Sequence, residues 1–243
     1  MRSVSARECL PLFVVYIVVP SCFLPSAEFS RIGAFVPVDV DSGTLLGAML
    51  LCGNHAIRRV PVVKTGGDIV NIITQSALVQ TLSANLPRFQ AVGRQTLLQL
   101  GLGVPALVHC VTTDDKLRSA FHLIKQFDVS AVPIVDASTS KIRGNISARD
   151  VRLVATSSKV YKLLNMPISV YLDVVSDGAE NSAITCSPDD TLEEVITRMV
   201  RSRIHRIYVV DSQQHVIRVV SLRNILRKFV KEPAKYFGHF FEY

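Results

Sequence analysis

One phrase occurs three times in this chain, and it limits the folds open to it more than any other feature. A helical run opened by Leu45, Leu117 or Leu192 is followed 16 residues later by Pro61, Pro133 or Tyr208 in an apolar strand. The strands read Arg59-Val-Pro-Val-Val63, Ala131-Val-Pro-Ile-Val-Asp136 and Arg206-Ile-Tyr-Val-Val-Asp211. Each is followed by a turn, a second apolar strand and a hydroxyl residue, Thr74, Ser147 or Ser221, that opens another helix. The strand centres lie 72 and 75 residues apart, a period that marks an array of supersecondary units, each too small to bury its apolar face alone. Such units pair, and pairing creates clefts.

Apolar spacing predicts the first helix of each copy. Leu117, Ala120, Phe121 and Ile124 recur at offsets of three, four and seven, as do Leu192, Val195, Ile196 and Met199, while the first copy uses Leu45, Ala48, Met49 and Cys52. Asp114 and Asp115 stand where they would cap the middle helix, and Ser187 to Asp190 precede the third. Turns are marked by Gly66-Gly67, Ser138 to Ser140 and Ser212 to Gln214. Each copy therefore reads strand, helix, strand, strand, helix, an α+β unit.

The phrases Asp128-Val-Ser-Ala-Val-Pro-Ile-Val-Asp136, Ile204-His-Arg-Ile-Tyr-Val-Val-Asp211 and Arg94-Gln-Thr-Leu-Leu-Gln-Leu-Gly-Leu-Gly103 resemble cystathionine-beta-synthase (CBS) domain repeats. More narrowly, they resemble those of the gamma subunit of AMP-activated and sucrose-non-fermenting-type protein kinases, the plant gamma-like subunits above all. The resemblance runs over about residues 36–230. It implies tandem CBS repeats that pair into Bateman-type modules and hold AMP, ADP or ATP as a regulatory ligand between paired units. It also implies energy sensing in a kinase complex, with catalytic alpha and beta subunits as partners. That family has four repeats; three are recognisable here, and the absent one is the family's first.

On this reading the chain divides into a divergent N-terminal segment 1–35, an unmated CBS repeat 36–82, a linker helix 83–106, a CBS repeat 107–154, a linker 155–183, a CBS repeat 184–230 and an aromatic tail 231–243. Pro11, Pro20 and Pro25 interrupt the apolar run near the N-terminus, against a membrane span or a secretory signal. The resemblance implies a cytoplasmic location, with the nucleus as the alternative. Five scattered cysteines, without C-x-x-C pairs, read as small hydrophobes in a reducing compartment.

A nucleotide cleft needs an acceptor for ribose hydroxyls, cations or donors for phosphate, and apolar walls. In Ser147-Ala-Arg-Asp150, Asp150 is suited to the ribose and Ser147 to a ligand near a helix start. The same spacing also forms a capping box that serves only the helix's own backbone. In the other copies Thr74 is followed by Ala77, and Ser221 by Asn224, so only the middle copy keeps the acid. Asn224 is a weakened counterpart.

Phosphate candidates precede the central strands: Arg58 and Arg59, Ser130 and Ala131, His205 and Arg206, with Lys64 and Arg149 nearby. The family's phosphate-contacting His-Arg pair falls at His205-Arg206. Net charge is +7 overall, and residues 191–235 hold ten Lys or Arg against four acids, a concentration that suits phosphate-bearing ligands or an acidic protein surface. Nucleic acid is a third, less favoured partner class. No phosphate-binding loop, zinc-protease, nucleophile-elbow or kinase signature is present, nor do the six histidines fall at metal-ligand spacings. The chain thus reads as a non-catalytic regulatory subunit; the alternative is a CBS scaffold whose nucleotide sites have decayed.

Overall fold

The computed structural model describes residues 36–152, 160–176 and 183–231. The N-terminal segment, the aromatic tail, Cys9 and Cys22 lie outside the described residues. The chain forms two compact units. One comprises the residues up to Leu78 together with those from Leu226 onward; the other runs from Val79 to Ile225.

Three three-stranded sheets repeat one topology. In the first, β1 (Val38–Asp39) lies parallel to β2 (Arg59–Val63), which pairs antiparallel with β3 (Ile69–Thr74). The second uses β4 (Val111–Thr112), β5 (Ala131–Val135) and β6 (Ile142–Ser147); the third uses β7 (Thr185–Cys186), β8 (Arg206–Val210) and β9 (Val216–Ser221). A register shift recurs at the same place in all three, at Val62/Val63, Ile134/Val135 and Val209/Val210. Left-handed backbone recurs as well, at Ala56, Asp128 and Arg203 before the central strands and at Gly67, Ser140 and Gln214 in the hairpin turns. Only one of these six is glycine, so the shared fold holds ordinary side chains in a conformation they rarely adopt.

Helices α1 (Leu45–Gly53), α4 (Leu117–Gln126) and α7 (Leu192–Arg201) cross between the parallel strands. They start differently. Thr44 accepts from the Gly47 N–H at 3.1 Å. Thr191 and Glu194 form a reciprocal capping box, with Thr191 N donating to Glu194 Oε2 at 2.8 Å. The expected cap by Asp114 and Asp115 is not made: Lys116 occupies the cap position, and Asp115 accepts instead from the Thr112 N–H at 2.7 Å and its hydroxyl at 3.0 Å. The carboxylate fastens the strand end rather than the helix.

The core of the middle repeat joins Val111, Leu117, Ala120, Ile124, Val132, Ile134 and Ile146 to Ile168 and Tyr171 of α6 (Ile168–Ser176), a helix that follows α5 (Val160–Asn165). The second unit ties repeats two and three together by backbone. Ile142 N donates to Gln214 O at 3.1 Å, and Lys141 bridges His215. These two residues immediately precede β6 and β9 and are equivalents of one another, which sets a local two-fold relation between the repeats. In the first unit β3 leaves Ile69, Val70 and Ile72 exposed.

The segment expected as a linker helix is broken. Following α2 (Gln75–Ala84), a 3-10 turn at Leu86–Phe89 and the single-turn α3 (Gln90–Gly93) give way to turns, because Pro87 lacks an N–H and glycines follow at 93, 101 and 103. Those turns grip repeat three: Leu97 N donates to Asp190 O and Leu98 N to Pro188 O, both at 2.9 Å. The phrase Leu100-Gly-Leu-Gly103 has a steric basis. Gly101 has φ +68°, and a Cβ on Gly103 would lie 2.9 Å from Leu98 N and 3.1 Å from Leu97 C.

Cys52 and Cys186 are buried and Cys110 half-buried, all as free thiols. Burial raises the Cys52 thiol to about 11, and burial with the nearby Asp190 charge raises Cys186 to about 12, so both behave as small apolar side chains. Among the described residues no helix is long and apolar enough to cross a membrane, and no three His, Cys, Asp or Glu gather as a metal site.

This packing sets the expected stability of three variants. Leu117, fully buried, loses about 2–5 kcal/mol on replacement by Ala, whereas Leu107→Ala, at a side chain 86% exposed, stays within about 0.5 kcal/mol. Gly103→Ala costs about 2 kcal/mol or more through backbone overlap. Urea unfolding of the variants measures all three, and equal midpoints for Leu117→Ala and Leu107→Ala would contradict the assigned core.

Candidate functional site

Strand register brings the sequence motifs to one end of each sheet. Arg59 lies opposite Thr74, Ala131 opposite Ser147, and Arg206 opposite Ser221. The residue that starts the central strand is therefore the cross-strand neighbour of the one that opens the last helix. Two backbone bonds reinforce the closure: Ala148 N donates to Ser130 O at 3.0 Å, and Leu222 N to His205 O at 3.2 Å.

Repeats two and three meet at this end. The Arg206 guanidinium donates from Nη2 to Ser130 Oγ across 76 positions of sequence. Arg149, in the turn after β6, acts on His205: burial first, then the charges of Arg149 and Arg206, hold the His205 ring below its ordinary pKa. Burial and both guanidinium charges thus favour the neutral imidazole. Among the sequence candidates, Ser130, His205 and Arg206 are linked by direct contact or charge, and the register adds Ala131, Ser147 and Ser221 beside them. Arg58 and Arg59 are exposed at the matching end of β2, whereas Lys64 follows the opposite end; all three belong to the other compact unit.

The acidic position is already engaged. Asp150 Oδ2 accepts from the Ser147 N–H at 2.7 Å, in the short 3-10 turn Ala148–Asp150. Helix α8 (Leu222–Phe229) repeats the arrangement with an amide: Asn224 Oδ1 accepts from the Ser221 N–H at 2.9 Å and from its hydroxyl at 2.6 Å. In repeat one Thr74 caps alone, accepting from the Ala77 N–H at 3.2 Å. The helix-capping alternative is therefore realised in every copy. It does not use up the carboxylate, which offers about four lone-pair sites over two oxygens. An amide has only one oxygen to share, and Ala77 has none. The Asp150 charge also reaches Tyr171, whose phenol is pushed up to about 12, first by burial and then by that carboxylate.

Ahead of β5 in sequence, His109 and Phe127 stack with ring centroids 3.5 Å apart at 11°. The parallel register Val111↔Ile134 directs the segment ahead of β4, which holds His109, toward the Ala131 end of β5. The sequence reading singled out neither aromatic. Arg149 carries only secondary weight in the sequence, and the fold brings its charge to bear on His205.

The chain's similarity to known proteins agrees with this organisation. The CBS domain family profile matches residues 108–156 and 174–231. An Arabidopsis thaliana SNF1-related protein kinase regulatory subunit gamma-1 is 32% identical over 215 residues, covering 82% of this chain and 51% of that protein. The pig 5'-AMP-activated protein kinase subunit gamma-3 is 31% identical over 222 residues, covering 90% and 40%. The chain spans about half the length of the curated relatives it matches. In fold it matches a Methanocaldococcus jannaschii protein, proposed as an archaeal homologue of gamma-AMPK, with TM-score 0.64 and 14% identity over 81% of this chain and 67% of that one. A Pyrococcus horikoshii protein matches with TM-score 0.61 and 21% identity, covering 82% and 81%. With its triplicate α+β unit, this chain is a CBS-domain repeat protein, homologous to the gamma regulatory subunits of SNF1-related and AMP-activated protein kinases.

Proposed function

We propose that the chain acts as a non-catalytic, gamma-like regulatory subunit of such a kinase complex, in the cytoplasm, and binds an adenine nucleotide between repeats two and three. The observation that carries this reading is the bond from Arg206 to Ser130, which draws Arg149, His205 and Arg206 of two repeats to one cleft end. Guanidinium groups there suit phosphate oxygens. Ser147 and Ser221 supply hydroxyls beside them, and the remaining oxygen of Asp150 is the acceptor suited to ribose hydroxyls. Ser130, Ala131 and Asn224 complete the candidate lining, while Arg58 and Arg59 form a separate cationic place in repeat one. AMP, ADP and ATP share the groups this arrangement suits. Kinase alpha and beta subunits are the partners, by analogy with the relatives' names.

A scaffold with decayed sites is the second reading. It draws support from the capping role of Asp150 and from Ala77 and Asn224 in the equivalent places. Titration calorimetry separates the two. On the sensing reading AMP or ATP binds in the micromolar to millimolar range, and Asp150→Ala or Arg206→Ala weakens binding at least about tenfold, since each removes charge-assisted bonds of about 1.5–3 kcal/mol. Well-folded protein that binds no nucleotide, yet co-purifies with kinase subunits whether or not those residues are replaced, would establish the scaffold.

Affinity should also depend on pH. With its pKa held below the ordinary value, His205 is neutral at pH 7 in the free chain. A bound phosphate dianion favours the protonated ring, so binding takes up a proton and strengthens as pH falls from about 7.5 toward 6.5. His205→Ala flattens that slope; an unchanged slope in the variant would place the titrating group elsewhere.

A further inference from the structure

Tyr208 takes the strand position that Pro61 and Pro133 hold in the other repeats. Its side chain is 2% exposed, and its hydroxyl is buried with no hydrogen-bond partner among the described residues. Tyrosine hydroxyls in protein interiors nearly always have a partner, so an orphan calls for an explanation. Tyr208 lies two residues beyond Arg206 on β8, so the two side chains share one face of the sheet, about 7 Å apart along the strand. Arg206 reaches Ser130 from that face, which directs the face toward repeat two. The Tyr208 phenol also lies within electrostatic reach of both Arg206 and Cys110, the latter just ahead of β4 in repeat two. The unpaired hydroxyl is thus buried on the strand face that Arg206 turns toward repeat two, two residues in from the cationic cluster.

We propose, on the nucleotide reading given above, that Tyr208 is a specificity-determining residue: its hydroxyl pairs with a hydrogen-bonding edge of the purine when the phosphate is held by Arg149, His205 and Arg206. Opposite ends of the ligand are then read by chemically different groups. The phosphate meets cations, and the base meets a single neutral, buried hydroxyl. Such a buried hydroxyl discriminates strongly, because a ligand without a matching group leaves it unpaired. Pro61 and Pro133 carry no such group, so the role is confined to the third repeat.

Tyr208→Phe removes the hydroxyl and keeps the ring, so the full-length variant should remain folded, with an unliganded melting temperature at or above that of the parent chain. Calorimetry with AMP should show about a tenfold loss of affinity in Tyr208→Phe, while ribose 5-phosphate, which keeps sugar and phosphate but has no base, binds parent and variant alike. Unchanged AMP affinity in the variant, or equal losses for both probes, overturns the inference and leaves the nucleotide reading standing. A parent chain that binds neither probe overturns both. If Tyr208→Phe does not fold, NMR of the parent chain carries the same test: the Tyr208 hydroxyl proton shifts on adding AMP and not on adding ribose 5-phosphate, and no shift with AMP overturns the inference.

Discussion

Strand register is the constraint on which the rest depends. Because the first residue of each central strand faces the last residue of the next strand, residues 15 or 16 apart in sequence become neighbours at one sheet end. A one-residue slip would turn every side chain of the strand to the opposite face. The shared irregularity near the far end of each central strand, at Val62/Val63, Ile134/Val135 and Val209/Val210, pins that alignment in all three copies. The chemistry proposed for the cleft rests on this alignment and on the pairing that brings Arg206 to Ser130.

Pairing also explains why copies of one unit can diverge. Once the local two-fold relation at Lys141 and His215 joins repeats two and three, each half is free to supply a different part of a shared site. In the proposed site repeat two would contribute the acid at Asp150 and the hydroxyl at Ser130, and repeat three His205, Arg206 and the buried phenol of Tyr208. Neither repeat carries the full set. The basic concentration in residues 191–235 acquires a local meaning in this setting, since Arg206 points its charge at the partner repeat rather than at solvent.

Much of the fold was legible in the sequence because periodicity and steric rules act locally. Spacing at Leu117, Ala120 and Ile124 and the triplicate strand phrase identify helices and strands that the structure contains. Where the reading failed, a competing local interaction won. Asp115 bonds Thr112 instead of the helix start, and Pro87 with three glycines breaks the linker that the sequence predicts as one helix. The site was legible only in part. Motif spacing points to Asp150 and to His205-Arg206, but the influence of the Arg149 charge on His205 across repeats and the stacking of His109 on Phe127 within repeat two depend on tertiary placement. Tyr208 did carry a signal, as the one copy lacking the proline, yet its missing hydrogen-bond partner is visible only in three dimensions.

Amide hydrogen exchange with and without saturating AMP tests the shared cleft most directly. The account predicts joint protection in both repeats, at residues 130–131 and 147–150 of one and 205–206 and 221–224 of the other. Protection confined to a single repeat, or to residues 58–59 alone, would contradict it.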